Sequence, residues 1–248
     1  MIGVLQDVAA AFQFLTRLPL GWLSYRPDAL SRSAKFFPLV GLAIGGASAA
    51  IYLLLSPHLP AVLVALLIVL FTTLLTGGLH EDGLADVADA FGGGRNRQQI
   101  LEIMKDSRIG SYGALAIVFS IAGRVLLLAN LPPSIFIQYA ISAEVLCRWT
   151  PLPLGAVLPP ARQDSGQGAR IAHQISRLSL VVGTLLALGI VGCLMRLSMW
   201  LPVAAATAVA LCSWPYYKWR IGGITGDCFG ATMQLTLAAV YLCGVWRR

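Results

Sequence analysis

The stretch from Gly77 to Gly113, GGLHEDGLADVADAFGGGRNRQQILEIMKDSRIGSYG, concentrates the acidic residues of an otherwise apolar chain. It holds six of the eleven Asp and Glu residues in the 248-residue sequence. Asp82, Asp86 and Asp89 have the spacing i, i+4, i+7, which predicts three carboxylates along one stripe of a helix. Like charges on such a stripe repel each other. Because hard divalent cations take oxygen ligands and keep positions for phosphate, the pattern favours a metal site, with Mg²⁺ as the simplest candidate.

Outside this stretch the chain is apolar enough for a membrane protein. It is 57% hydrophobic and 12% charged, with a mean hydropathy of +0.76, whereas soluble domains carry about twice that share of charge. Several runs approach the ~20 apolar residues that cross a ~30 Å hydrocarbon core. We therefore predict an all-α, polytopic bundle in a single domain, 1–248, with an N-terminal interfacial helix and about seven spans: 36–55, 61–79, 112–131, 134–151, 178–195, 200–217 and 231–246.

The net charge of +7 comes mainly from residues in loops. If the N-terminus lies inside, thirteen Lys and Arg residues fall in cytoplasmic loops and three on the opposite side, as the positive-inside rule requires. This orientation places the polar segments 77–113, 152–177 and 218–230 together on the cytoplasmic side. Basic loops of this kind attract anionic membrane lipid or phosphate. Aromatic and basic residues are not interleaved, so we predict no nucleic acid partner.

The cytoplasmic segments carry groups with complementary chemistry. Asp227 follows Gly226 in the third segment and is a fourth candidate metal ligand. Lys105, Arg108 and Gly226 are candidates for phosphate binding, and His80, next to the acidic stripe, is a further candidate for contacting substrate. Metal, anionic oxygens and cations together are what displacement at a phosphorus atom requires. We expect one aspartate of the stripe to accept a hydroxyl proton in such a reaction.

Each of these assignments has a plainer alternative. The acidic stripe is also compatible with a solvated helix end. Lys105 and Arg108 are also typical of positive-inside loops, and Asp227 is well placed to cap the final helix. His80 has no second His or Cys at ligand spacing, which favours a local hydrogen bond over metal binding.

Other charged residues are assigned to structure rather than to chemistry. We expect Glu81 and Glu102 to be solvated on helix surfaces. Arg124 lies inside a predicted span and is expected to pair within the bundle. Glu144 and Arg148 are four residues apart, so they can pair on one helix face. The five cysteines show no CxxC spacing, which indicates neither a zinc site nor a disulfide framework.

At these motifs the sequence resembles the cobalamin synthase family, the membrane-bound adenosylcobinamide-GDP ribazoletransferases. The resemblance is carried by short blocks that follow the family's order along most of the chain. The blocks are TRLP (16–19), FPLVG (37–41), GGLH (77–80), DGLAD (82–86), LEIMKDSRIG (101–110), and GG with TGD (222–223 and 225–227). Leu237 departs from the pattern, because the family usually has Glu there.

The resemblance implies an activity, a cofactor and a location. The family joins adenosylcobinamide-GDP to α-ribazole, or to its 5′-phosphate, and releases GMP and adenosylcobalamin or its phosphate. Mg²⁺ is the expected cofactor, and the expected location is the bacterial inner membrane with the active site facing the cytoplasm. The sequence leaves open whether the chain forms a homo-oligomer.

Two other functions compete with this interpretation. A CDP-alcohol phosphotransferase also uses an acidic helix, but its Asp-Gly is followed by Ala-Arg, whereas here Asp82-Gly83 is followed by Leu84-Ala85-Asp86. An ion-coupled transporter would use carboxylates near the bilayer midplane. The sequence places these carboxylates at the cytoplasmic end of a span, which favours an enzyme.

Overall fold

The computed structural model describes residues 2–20, 32–162 and 175–246, and the fold of these residues is all-α. Residues 163–174 of the second polar segment lie outside the described residues. Short 3-10 turns, Ala34–Phe36 and Arg196–Met199, precede the second helix and join the ninth to the tenth. The α-helices are α1 Ile2–Leu15, α2 Phe37–Leu55, α3 Ala61–Thr76, α4 Leu79–Gly93, α5 Arg97–Ile103, α6 Ser111–Ala129, α7 Phe136–Trp149, α8 Pro151–Val157, α9 Arg177–Met195, α10 Trp200–Ile221 and α11 Gly226–Trp246.

Four stretches of the described residues are long and apolar enough to cross a membrane: Ala34–Leu55, Ser111–Ala129, Arg177–Ile221 and Gly226–Trp246. Helices α3 and α4 meet the same criterion only as a pair bent by 89°, which brings the number to five. The prediction of an all-α, polytopic membrane protein is therefore confirmed. The expected number of about seven spans is not reached within the described ranges.

Besides the bend between α3 and α4, one short helix and one pair of helices that counts as a single stretch explain the lower number. The predicted span 134–151 is α7, whose 14 residues are fewer than the ~20 that cross hydrocarbon. The predicted spans 178–195 and 200–217 are α9 and α10, which count as one stretch of 45 residues. Because α10 continues to Ile221, Lys218–Ile221 are helical rather than part of the polar insertion expected there.

Two consecutive glycines form the bend between α3 and α4. Gly77 and Gly78 have φ angles of 68° and 71°, a region that residues with a Cβ rarely adopt. Their N–H groups donate to Leu74 O at 3.1 Å and Thr73 O at 2.9 Å, which satisfies the last carbonyls of α3. The second predicted span therefore ends at Thr76, and the acidic helix leaves it at nearly a right angle.

Helix α7 lies at the centre of the bundle. Every residue from Tyr139 to Arg148 is buried. Helix α2 packs against it at Gly41 and Gly45, where an added Cβ would lie 2.7 Å from Val145 Cα and 2.6 Å from Ile141 Cα. The small residues of this span therefore permit close helix packing, as predicted.

Two sets of ion pairs lie in or against this core. Arg148 donates to the Glu144 carboxylate within α7, which confirms the expected i, i+4 pair. The buried Asp7 of α1 accepts hydrogen bonds from Arg32 Nε and Lys35 Nζ, both at 3.2 Å. Because these two cations precede α2, the pairs fix α1 to the start of the bundle. A position for α1 at the membrane interface stays a prediction.

Candidate functional site

The first turn of α11 lies directly against α4, and two glycines allow this approach. A Cβ on Gly83 would lie 2.9 Å from the Asp227 carbonyl oxygen and 3.1 Å from its Cα. One turn further along α11, a Cβ on Gly230 would lie 3.3 Å from His80 Cα. The contact brings the first and third polar segments together and sets Asp227 beside the acidic stripe of α4.

The aspartates around this contact strongly influence one another. Asp86 is half-buried on α4, which lies outside the four stretches able to span a membrane by themselves. Burial raises the pKa of Asp86 to about 7, and the neighbouring negative charges of Asp227, Asp82 and Asp89 contribute to the rise. The positive charge of Arg162 opposes it. The site is thus an acidic cluster whose charge the protein only partly balances.

This cluster offers oxygen ligands from two helices to a hard cation. Within the described ranges, no three His, Cys, Asp or Glu side chains converge closely enough to hold an ion by themselves. Mg²⁺ usually keeps several waters and is bound by one or two carboxylates together with substrate phosphates. Asp82, Asp86 and Asp227 fit that mode of binding, because they are close enough to repel one another and carry hard oxygen donors.

Asp89 differs from the other aspartates of the stripe because its carboxylate is already bonded. It accepts the N–H groups of Gly110 at 2.7 Å and Gly113 at 2.8 Å, at the start of α6. A Cβ on either glycine would lie 2.9 Å from Asp89 Cγ, so both positions require glycine. Negative charge at a helix N-terminus is favourable. Asp89 therefore caps α6, and its metal-binding and catalytic roles stay predictions.

Asp227, by contrast, does not cap its own helix in the way its position suggested. The hydroxyl of Thr225 accepts the N–H of Cys228 at 3.3 Å and donates to the Asp227 carboxylate at 3.2 Å. Thr225 thus serves the helix N-terminus and also orients the aspartate. Gly226 is the first residue of α11 and lines the same cavity as Asp227.

His80 borders a cavity of about 190 Å³ next to the acidic cluster. Its side chain is buried, and Nε2 has no hydrogen-bond partner in the described part of the chain. Burial lowers the pKa of His80 to about 3, with a further contribution from the charge of Arg148, so the imidazole is neutral. The other lining residues combine two carboxylates with aromatic rings and apolar groups: Asp82, Asp227, Phe14, Phe37, Phe229, Leu15, Leu79, Pro151, Met233, Gly226 and Gly230.

The two predicted phosphate-binding cations, Lys105 and Arg108, follow α5 in the chain. Lys105 is exposed. Arg108 is also exposed and donates to Asp106 at 2.6 Å, and these hydrogen bonds lower the pKa of Asp106 to about 2. Arg108 lines an open groove of about 440 Å³ together with Asp89. A role for Lys105 and Arg108 in phosphate binding stays a prediction.

Sequence reasoning missed the arginines that hold the polar segments together. Arg97 donates to Ile221 O at 2.8 Å and to Ala161 O at 2.9 Å. Arg220 donates to Phe91 O at 2.8 Å, near the end of α4. Arg97 begins α5 and Arg220 lies in the last turn of α10, but each bonds carbonyls of other segments rather than of its own helix. Because these partners are 64 to 129 positions away, the local sequence contained no signal for the contacts.

Fold and site together define a helical membrane protein with a polar site in which carboxylates from two helices lie close together. The profile of the cobalamin-5-phosphate synthase family, CobS, matches residues 7–245. The chain belongs to this family. No solved structure matches the chain.

Curated relatives agree with the family over nearly the whole chain. A protein from Azorhizobium caulinodans is 42% identical, with 98% of this chain and 96% of the relative covered. A protein from Polaromonas sp. is 36% identical, with coverage of 96% and 95%. One from Leptospira interrogans is 35% identical, with coverage of 94% and 92%. All three relatives are named adenosylcobinamide-GDP ribazoletransferase.

Proposed function

We propose that the chain is an adenosylcobinamide-GDP ribazoletransferase of the bacterial inner membrane, with its site facing the cytoplasm. A ribose hydroxyl of α-ribazole, or of its 5′-phosphate, attacks the phosphorus atom that carries cobinamide. The new oxygen–phosphorus bond forms as the bond from that phosphorus to GMP breaks. Family membership and the names of the relatives support both substrates.

The observation that carries the chemistry is the contact of Asp227 with the acidic stripe of α4 across Gly83. It supplies carboxylates from two helices that are far apart in sequence. One or two of the carboxylates of Asp82, Asp86 and Asp227 would hold Mg²⁺ together with the phosphates of the donor. The ion would neutralise negative charge on the diphosphate and on the departing phosphate.

The residues of the site also have to manage a proton and exclude water. One of the carboxylates of the cluster accepts the hydroxyl proton as general base. The neutral His80 can bond to a hydroxyl or ring nitrogen of the acceptor. Burial of this side chain keeps bulk water from competing for that bond.

The 190 Å³ cavity beside His80 matches the acceptor better than the donor. Phe14, Phe37 and Phe229 line it, and such rings favour a flat aromatic base by stacking or edge contacts. Its polar end contains Asp82 and Asp227. A ribose attached to a base in this cavity would therefore lie close to the carboxylates.

The test is a direct assay of the full chain purified in detergent. We would incubate it with adenosylcobinamide-GDP, α-ribazole and Mg²⁺, with and without EDTA, and detect GMP and the corrinoid product by mass spectrometry. We expect GMP and adenosylcobalamin in equal amounts, both abolished by EDTA. GMP without cobalamin would contradict ribazole transfer. Equal turnover with EDTA would contradict the metal site, and no GMP from folded protein would contradict the reaction.

A further inference from the structure

The segment after α1 places a cationic side chain against the glycine bend. The backbone N–H of Arg17 donates to Leu75 O at 2.7 Å, in the last turn of α3. Its side chain crosses Gly77, where an added Cβ would overlap it and lie 2.9 Å from Cγ and 3.0 Å from Cδ. The backbone hydrogen bond thus fixes the position of Arg17, and the lack of a side chain at Gly77 leaves the space that the Arg17 side chain occupies.

Arg17 is exposed and makes no ion pair within the residues that the structure describes. Other arginines near the site are engaged. Arg124 pairs with Glu81, and Arg97 and Arg220 bond to carbonyls at helix ends. The Arg17 guanidinium is therefore a positioned cation that lacks an anion within this part of the chain.

Arg17 faces the acidic cluster across a second cavity. This cavity has a volume of about 660 Å³ and is lined by Arg17, Asp82, Gly77 and Gly78, among others. Asp82 also lines the 190 Å³ cavity, so the two cavities meet at this aspartate. The smaller cavity is lined by three aromatic rings. The larger one combines a cation and glycine backbone with only one of these rings, Phe14, and also contains Glu81, which is paired with Arg124. Two different substrates can thus approach Asp82 from two sides.

We propose that Arg17 binds the diphosphate of the nucleotide-activated donor in the 660 Å³ cavity. The proposal rests on the proposed function and assigns the donor to this cavity. A planar guanidinium matches phosphate oxygens by paired hydrogen bonds, which makes arginine well suited to the task. When the bond from the cobinamide-bearing phosphorus to the bridging oxygen breaks, that oxygen leaves with GMP. Arg17 then balances its added negative charge while a carboxylate holds the hydroxyl proton.

The main experiment compares Arg17→Gln with Arg95→Gln, a change at another exposed cation outside both cavities. We expect Arg17→Gln to raise the KM for adenosylcobinamide-GDP and the inhibition constant of GMP about ten- to a hundredfold, the value of a charged hydrogen bond. The KM for α-ribazole should stay within about twofold, and Arg17→Lys should recover part of the loss. Equal effects of the Arg17 and Arg95 changes, or equal shifts for both substrates, would overturn the proposal.

The glycine bend provides a matched second pair. Gly77→Ala and Gly78→Ala strain the backbone alike, because both glycines have a positive φ. An added Cβ overlaps Arg17 only at Gly77 and meets nothing within 4 Å at Gly78. We expect similar losses of thermal stability, but a raised KM for the donor only in Gly77→Ala. A raised KM of equal size in both variants would count against the role of Arg17.

Equilibrium binding separates this proposal from the proposed reaction. GDP bound to the full chain in the presence of Mg²⁺ serves as a probe of the diphosphate site and needs no turnover. Wild type should bind GDP at least about tenfold more tightly than Arg17→Gln. Tighter binding by wild type without GMP release would support Arg17 and sink ribazole transfer. Turnover by the wild type, together with equal GDP binding by wild type and Arg17→Gln, would support ribazole transfer and refute the role of Arg17.

Discussion

The two faces of α4 hold carboxylates in opposite electrostatic situations. On one face, Glu81 is buried and accepts hydrogen bonds from Arg124 at 2.7 Å and Thr73 at 3.1 Å. Burial alone would raise the pKa of Glu81, but the charge of Arg124 and the hydrogen bonds to the carboxylate, acting together with smaller contributions, outweigh burial and lower the pKa. On the other face, burial and neighbouring acids raise the pKa of Asp86 to about 7. One helix thus carries a balanced and an unbalanced charge about a turn apart.

The difference indicates where each negative charge finds its counter-ion. Glu81 has a cation inside the protein, so its charge can contribute to holding α4 against α6. The cluster around Asp86 receives only partial compensation, from Arg162. A fold that keeps such repulsion must be stabilised elsewhere, and a cation bound together with substrate can relieve it. We therefore assign a structural role to the face of α4 that carries Glu81 and a chemical role to the face that carries Asp86.

The largest effect is expected when the carboxylates on the Asp86 face of α4 are replaced by neutral side chains. Asp82→Asn or Asp86→Asn should lower the rate of GMP release by at least about a hundredfold, the scale of losing a group that acts in the transition state. Thermal stability should stay the same or rise, because repulsion between like charges is removed. The measurements are GMP release with saturating Mg²⁺ and thermal unfolding in the same detergent.

Glu102→Gln is the matched control for these variants. Glu102 lies in the same acidic stretch, but it is exposed and its carboxylate is bonded to Gln98 at 2.8 Å. Its neutralisation removes one negative charge without touching the cluster, so turnover should stay within about twofold. Near-normal turnover in both Asp82→Asn and Asp86→Asn would refute the assignment of chemistry to this face.

The balanced face should respond in stability instead. Glu81→Gln or Arg124→Met leaves one charge buried without its partner, which typically costs about 3–5 kcal/mol of unfolding free energy. The double variant removes both charges and should be much less destabilised than the sum of the two single variants. A double-mutant cycle of detergent unfolding measures this coupling. Purely additive losses would mean that the pair does not hold α4 against α6.

The next largest effect concerns the contact that joins the two helices of the acidic site. Gly83→Ala forces a methyl group to within 2.9 Å of the Asp227 carbonyl oxygen, so α11 must move away. Overpacking of this kind costs about 1–3 kcal/mol, and turnover should fall because Asp227 leaves the cluster. Gly123→Ala is the control, since an added Cβ there meets nothing within 4 Å. Equal stability and turnover in the two variants would contradict a close α4–α11 contact.

Local sequence patterns predicted one part of this site well. The i, i+4, i+7 spacing correctly predicted a helix through Asp82, Asp86 and Asp89, which is α4. Charge in apolar spans correctly predicted a partner within the bundle for Arg124 and for Arg148. Both predictions succeed because they rest on helix periodicity and on the high free-energy cost of burying an unpaired charge.

Long-range packing determined what the patterns missed. The prediction of a solvated Glu81 was wrong, because α4 turns this residue toward Arg124, 43 positions away in the sequence. The right-angled bend at Gly77 and Gly78 reduced the expected number of spans, and hydropathy carries no information about such a bend. The position of Arg17 over the bend also depends on a tertiary contact, so its sequence suggested only a loop cation.

The smallest expected effect separates Asp89 from the rest of its stripe. Asp89 accepts two N–H groups at the start of α6, and asparagine keeps one of the two acceptor oxygens. Asp89→Asn should therefore cost less than the ~0.5–2 kcal/mol that follows loss of a cap in Asp89→Ala. Turnover should fall only about threefold, through looser packing of α6 against α4. If Asp89→Asn instead matched the loss in Asp82→Asn, with unfolding unchanged, the carboxylate would be a metal ligand. Asp89 would then belong, with Asp82 and Asp86, to the face of α4 that carries the chemistry.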